Sequence, residues 1–596
     1  MARSAYFSSI LIVLLFCNNL GQTNAFFNFD INQCPSGCVC KDDSITCRDI
    51  RQMPKFSNTT KRIELVHCYI PTIFTHDFEN ATSLEELVLD NVNDNGGSIY
   101  GGGTKLDSNC FSKLTKLKKL VMLNTKLFMY SSDYFDNLTN LEHLVMNNVG
   151  LGPHLLQSLF QRLFKLTHLD LGRNWIEFMP RRLVANFRNL KVFKINNNIL
   201  WSPNAALTPI SEASDLVELD LTDNRWIYPH NQFDKLPSVF QSFSKLKKLS
   251  IGKNKFEKLG RDFFADAPPS LEHISVEAAS IKDIHNETLR PLKSLKFLDV
   301  SSNHDIKYGQ FRTLLGSLAV KSKLTTLIMR DHKIDTFQAS MFPSPSRVSS
   351  LKSLDMSGGD LKTLNTDAFK RIQGIEELQL HGNKLTDIPK GVFSVLSNLK
   401  VLSLASNNIM RFHQSSLRTN RHLEDLDISG NKLQSLAFGL LAGKRILKTF
   451  KAGGNNISVI TKKHLENIRF LEHLDMKSNN VKTFKWKHFE KLNHLKEIDF
   501  SGNPLVCDCS LHYFRHWLGL CEIEILNKEE THCHQDFIDT YIPLDRYAPI
   551  RIECPDRPES KMVISTTNRP GADEDDIPDE DTLGTFLSDI LSGWWG

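Results

Sequence analysis

Between residues 60 and 503, apolar and polar positions alternate in a short burst, LxLxx, that returns about every 24 residues. On the template LxxLxLxxN, the first letter falls at Thr60, Leu84, Leu117, Leu141, Leu166, Leu190, Leu216, Leu246 and Leu271. It continues at Leu295, Leu324, Leu351, Ile375, Leu399, Leu423, Leu447, Leu471 and Leu495. From Leu351 onward each step is 24 residues; earlier steps stretch to as many as 33. One burst is uninformative, but eighteen in phase specify a repeat architecture.

Period-two alternation predicts a short strand, with leucines on one side and variable letters on the other. A strand this short cannot bury its apolar face alone, so it stacks in parallel on the next copy. The ninth letter is Asn at 174, 198, 224, 254, 303, 383, 407, 431, 455, 479 and 503. There a buried amide can satisfy backbone groups of the neighbouring turn. A second apolar column, Phe78, Phe135, Phe369, Phe393, Leu417, Leu441, Leu465 and Phe489, lies eighteen places after its repeat starts and closes the far side. The first repeats depart from the pattern, with Cys68, Val92, Thr125 and Val149 in the ninth position.

This skeleton resembles the leucine-rich-repeat family over residues 60–503. The resemblance implies an α/β fold: a curved horseshoe solenoid of about eighteen repeats with a parallel sheet on its concave side. Cys34, Cys38, Cys40 and Cys47 precede the first repeat, and Cys507, Cys509, Cys533 and Cys554 follow the last. Spacing alone leaves three connectivities open in each set. The sets resemble the cysteine caps of extracellular leucine-rich-repeat proteins such as Slit, Toll-type ectodomains, the acid-labile subunit and the small proteoglycans. That resemblance implies the pairs Cys34–Cys40, Cys38–Cys47, Cys507–Cys533 and Cys509–Cys554. The alternative is zinc held by the CxC pair and the His532-Cys533-His534 run; an oxidising compartment favours disulfides. Cys68 is expected as an inert core thiol. Cys110 and Cys521 remain, as buried free thiols or as a bridge to another chain.

The compartment follows from the first 25 residues. Arg3, the apolar run Ile10 to Cys17, and the small residues Thr23 and Ala25 form an export signal. Sequons at Asn58, Asn80, Asn137, Asn286 and Asn456 agree with that route. No later stretch offers about 20 uninterrupted apolar residues, so a secreted protein without a membrane span is expected. The divisions are then a signal at 1–25, an N-terminal cap at 26–59, the solenoid at 60–503, a C-terminal cap at 504–554 and an acidic tail at 555–596. The chain's net charge of +4 hides an asymmetry: the tail holds three cations against ten carboxylates, a balance of −7, and residues 26–554 carry +10. Low hydrophobicity predicts disorder for the tail, with Phe586, Leu587, Ile590, Leu591 and Trp594 as a short amphipathic docking segment.

No constellation of catalytic residues appears. HExxH and GxSxG are absent, GGGTK at 101–105 misses the order of a phosphate loop, and His143, His168, His273 and His473 are surface letters of the repeat. Neither an enzyme nor a cofactor or metal site is expected, which leaves partner binding. Val88, Val121 and Val145 form an apolar row at the central variable letter, with Leu123 beside them and Val66 one repeat earlier. An apolar row facing out of a sheet marks a contact surface. The insertion at 93–109 is the alternative cover for these valines, through Ile99 and Tyr100. Elsewhere that column is largely acidic, with Asp170 and Asp220 continuing the candidate surface for a protein or glycoprotein ligand. Lys462, Lys463, Lys482, Lys485, Lys487 and Lys491 offer a basic face to sulfated glycans. The reading is a secreted binding protein; the alternative is a receptor ectodomain whose membrane segment lies elsewhere. Oligomeric state is not legible.

Overall fold

In a computed structural model of the protein, the described residues are 34–93, 103–128, 133–153, 157–180, 188–201, 207–226, 235–535 and 540–544. The export signal, the tail and Cys554 lie outside them, as do Ile99 and Tyr100. The chain divides into two compact units, Met1–Leu295 and Lys296–Gly596.

In the first unit a parallel ladder begins in the cap. Cys38–Lys41 pairs antiparallel with Ser44–Arg48, which runs parallel to Arg62–Val66. Then follow Glu86–Asp90, Lys119–Leu123, His143–Asn147, His168–Asp170, Val192–Lys194, Glu218–Asp220, Lys248–Ser250 and His273–Ser275, each parallel to the one before. On the far side Thr72–Ile73, Thr104–Leu106 and Leu127–Phe128 form a second, smaller ladder. The repeat leucines between these layers are fully buried, and Phe56, Phe78, Phe111, Phe135 and Phe160 stack with centroids 5.9–6.4 Å apart. Disulfides Cys34–Cys40 and Cys38–Cys47 tie the cap together.

The second unit repeats the scheme more regularly, in nine strands from Phe297–Asp299 to Glu497–Asp499 and a closing strand at Glu524–Ile525. Its lid is the helix Cys509–Leu520, started by Asp508, whose side chain accepts from the Leu511 N–H at 2.7 Å. Leu511, Phe514, Trp517 and Leu518 face inward, and Phe514 meets Phe489 at 4.9 Å, so the last coil's apolar side is covered. Cys507 bonds Cys533; Cys509 is also disulfide-bonded. The sulfurs proposed for zinc are thus engaged in bridges.

Why the ninth letter is Asn is visible in each coil. The Asn407 amide donates to the carbonyls of Leu380 and Leu404 at 2.9 and 3.0 Å, while its oxygen accepts from the Leu385 N–H at 3.0 Å. With the Ala405 carbonyl at 3.2 Å, one side chain therefore meets four backbone groups in successive coils. Where Asn is missing, substitutes differ. The Thr125 hydroxyl donates to Leu123 and accepts from the Val92 N–H, and the Cys68 thiol points at the carbonyls of Cys47 and Val66. His332 takes the place in the eleventh repeat, accepting from the Ile334 N–H at 3.2 Å with Nε2 3.2 Å from the Met356 carbonyl. Its ring extends into the next coil, where the equivalent residue is Gly359; a Cβ there would lie 2.7 Å from the imidazole. The eighth letter is left-handed throughout, with φ of 48–59° at His67, Asn91, Asn124 and Asn148 and 62–66° at Gly382, Gly430, Gly454 and Gly502. Asn and Gly dominate there because other residues pay a steric cost in that region.

Candidate functional site

The strand face of the first unit presents three rows. At the third letter, Arg62 and Lys119 both grip Glu86, each at 2.8 Å. Next, on adjoining strands, the rings of His143 and His168 stack with centroids 4.0 Å apart. Burial lowers both imidazole pKa values, and His143 lowers that of His168 further. Lys248 of this row and Lys194 of the central row then flank Glu218 at 3.6 and 3.2 Å.

The central row is Val88, Val121, Val145 and Asp170, aligned in register. It is not an open apolar strip. Glu64, not the expected Val66, stands in register with Val88; Val66 lies opposite Asp90 in the row of Leu123. Val66, Val88 and Val121 are only 6%, 8% and 8% exposed, and Val145 is half-buried. β-branched side chains on strands about 5 Å apart fill the space between themselves. The described ends of the insertion lead away from this row: Asn93 donates to Gly103 at 2.8 Å, and Thr104, on the far-side ladder, donates to Ile70. Leu123 is half-buried in the third row, opposite Asn147.

The aspartate column has a structural task that the sequence reading missed. The strand ends at the aspartate, and Oδ1 accepts the N–H two residues on: Asp170 from Gly172 at 2.8 Å, Asp220 from Thr222 at 3.0 Å. Asp299, Asp355, Asp427 and Asp499 also accept from the Ser hydroxyl at that second position. The recurrent D-x-S spelling was the available signal. Burial raises the Asp170 pKa. Asp170 and Asp220 remain half-buried on the strand face, each with one oxygen already engaged.

Exposed apolar area lies instead beyond the Asn corner of the fifth to seventh repeats. Trp175, Phe178 and Trp201 are 61%, 41% and 48% exposed. Phe178 and Trp201 meet edge-on at 6.4 Å, and the Arg225 guanidinium lies 5.8 Å from the centre of the Trp175 ring. These positions do not recur with the period, so the repeat pattern did not single them out.

The remaining expected sites are placed as follows. All five sequon asparagines are exposed. Cys68 and Cys110 are buried free thiols and Cys521 is half-buried; burial raises all three thiol pKa values. Among the described residues no helix is long and apolar enough to cross a membrane.

A leucine-rich-repeat profile matches residues 244–304, 373–433 and 446–505, and one for the BspA-type leucine-rich-repeat region matches 72–207. The chain belongs to the leucine-rich-repeat family. This leucine-rich-repeat chain is 23% identical to podocan of Mus musculus over 412 residues, covering 60% of the chain and 62% of podocan. It is 26% identical to Toll-like receptor 5 of Homo sapiens over 357 residues, covering 56% of the chain but 34% of the receptor. The match thus spans under two thirds of either relative. Among solved structures, a chain of the Toll–Spatzle complex, described as a hub in Drosophila development and innate immunity, aligns with a TM-score of 0.53 at 19% identity. That alignment covers 86% of this chain and 72% of that one, and the likeness is one of fold.

Proposed function

We propose that this chain works outside the cell as a protein-binding module without enzymatic activity. It takes a protein or glycoprotein partner on the first unit, along the strand face that carries Leu123, Asp170 and Asp220 and onto the adjoining aromatic edge. The observation that carries this reading is the exposure of Trp175, Phe178 and Trp201 beside Arg225. Exposed Trp and Arg are the residue types that anchor partners: Trp covers a large area with little loss of side-chain freedom, and Arg adds a planar fork of donors that stacks on rings. Similarity to podocan and the disulfide-bonded ends support an extracellular setting. The receptor-ectodomain reading keeps its support from the sequence match to Toll-like receptor 5.

The test is cross-linking of secreted protein on tissue, with mass-spectrometric identification of partners. Trp175→Ala with Trp201→Ala should lower capture of a specific partner about tenfold or more, while secretion stays normal. Unchanged capture would reject the aromatic edge, and a parallel Val145→Glu variant would then ask whether the strand face acts alone.

A further inference from the structure

In the second unit, the lateral edge that leads back into the strands carries an arginine ladder. Arg421, Arg445 and Arg469 occupy the same letter of three successive 24-residue repeats, and all three are exposed. Successive coils are about 5 Å apart, so the guanidinium groups form a closely spaced cationic row. Two carboxylates near this edge are already engaged: Glu424 with Lys448 at 2.7 Å, and Glu472 with Lys496. Among the described residues none of the three arginines has an acidic partner. Beneath the row lies a further cation. Lys444 is fully buried, held only by the carbonyls of Leu417 and Ala442 at 2.7 and 3.2 Å. One letter along, Ile446 and Phe470 are exposed, and Phe470 stacks on His494 at 4.7 Å. A row of uncompensated guanidiniums bordered by exposed apolar groups fits an anionic segment that carries apolar residues of its own.

The chain supplies such a segment. Seven carboxylates lie between Asp573 and Asp581, and Phe586, Leu587 and Ile590 follow within a few residues. The 28 residues between Leu544 and Asp573 can span up to roughly 90 Å at about 3.3 Å per residue. The ladder lies a few coils from the C-terminal cap, roughly 20 Å at the same coil spacing. We propose that the acidic segment 573–581 docks in cis on Arg421, Arg445 and Arg469, with the apolar residues behind it reaching Ile446 and Phe470. This edge is thereby covered until a stronger polyanion displaces the segment. The proposal is independent of the partner surface assigned to the first unit.

Labelling of full-length secreted protein with p-hydroxyphenylglyoxal, read arginine by arginine by mass spectrometry, tests it. The comparison protein is the full chain with the seven carboxylates replaced by their amides. In the native chain the three ladder arginines should label at least threefold more slowly than in the amide variant, and exposed Arg312 equally in both. The difference should vanish near 1 M salt, as expected for screened contacts. Equal labelling of the ladder in both proteins overturns the proposal. Protection that grows with protein concentration assigns the segment to a second copy and overturns docking in cis. Protection that persists in the amide variant but disappears after glycosaminoglycan lyase assigns the ladder to a sulfated glycan, and likewise overturns it.

Discussion

The two units use the same coil in different ways. In the second, the left-handed corner is mostly Gly or Ser, the steps from Leu351 are uniform, and Asn fills the ninth letter from Asn383 to Asn503. In the first, the same corner carries His67, Asn91, Asn124 and Asn148, whose side chains reach one another: Asn91 meets His67 at 2.7 Å and Asn148 donates to Asn124 at 3.0 Å. Its first four repeats lack the ninth-letter Asn, and it carries the stacked histidines and the exposed tryptophans. Regularity is what stacking alone selects. The proposal of a partner surface in the first unit rests on reading these departures as side chains set out for something besides stacking.

The sharpest way to break the comparison is to remove the ninth letter in each unit. Asn431→Ala removes four hydrogen bonds and leaves the Ile409 N–H without its partner, while the carbonyls of Leu404 and Ile428 keep the amides of Asn407 and Asn455. At about 1–3 kcal/mol for the orphaned group and about 0.5–1.5 kcal/mol for a lost bond, it should cost about 3 kcal/mol. Thr125→Ala in the first unit removes fewer bonds and should cost about 1 kcal/mol. Urea titrations that gave equal losses would erase the distinction.

A smaller effect tests the exception within the regular unit. Burial, aided by Arg421, pushes the Lys444 pKa down to about 8. A base with a depressed folded pKa weakens the fold while it is charged, so that cost is largest below pH 8 and is relieved as pH rises toward the ordinary lysine value near 10.5. Lys444→Met should therefore gain about 2 kcal/mol at pH 7, with the gain shrinking between pH 8 and 10.5. Thermal melts of both proteins across that range would show it, and a gain independent of pH would refute the assignment.

The smallest effect belongs to the first unit. The charges facing His143 and His168 are Glu86, Lys119, Glu142, Lys191, Lys194 and Glu218. Because both folded pKa values are depressed, the pair's contribution is present above pH 6.5 and lost as pH falls below it. His143→Gln with His168→Gln should retain under about 1 kcal/mol more stability than the native chain at pH 5.5, and none at pH 7.5. Imidazole resonances titrating at ordinary values would remove the basis for this.

The coil and its stacking direction were legible because periodic burial is written directly in the chain. The pairs Cys34–Cys40, Cys38–Cys47 and Cys507–Cys533 followed from the resemblance to capped family members, since spacing alone leaves three connectivities open in each set. The surface was less so. Val88 and Val121 face out of the strand as alternation required, yet their exposure depends on neighbours one coil away, which a single repeat does not encode. The aspartates were taken as display letters because their partner is the backbone two residues on, not another charge. No other repeat places tryptophan at the letters of Trp175 and Trp201, so nothing in the period points to them.

His332 and Gly359 make two coils sterically dependent on each other. The imidazole of one fits only because the next has no side chain, so asparagine at Gly359 alone would crowd the ring and asparagine at His332 alone would leave a void. These two coils should therefore be inherited as a pair, and a shuffled array that separated them would be expected to fail at that seam while tolerating exchange among the uniform coils after it.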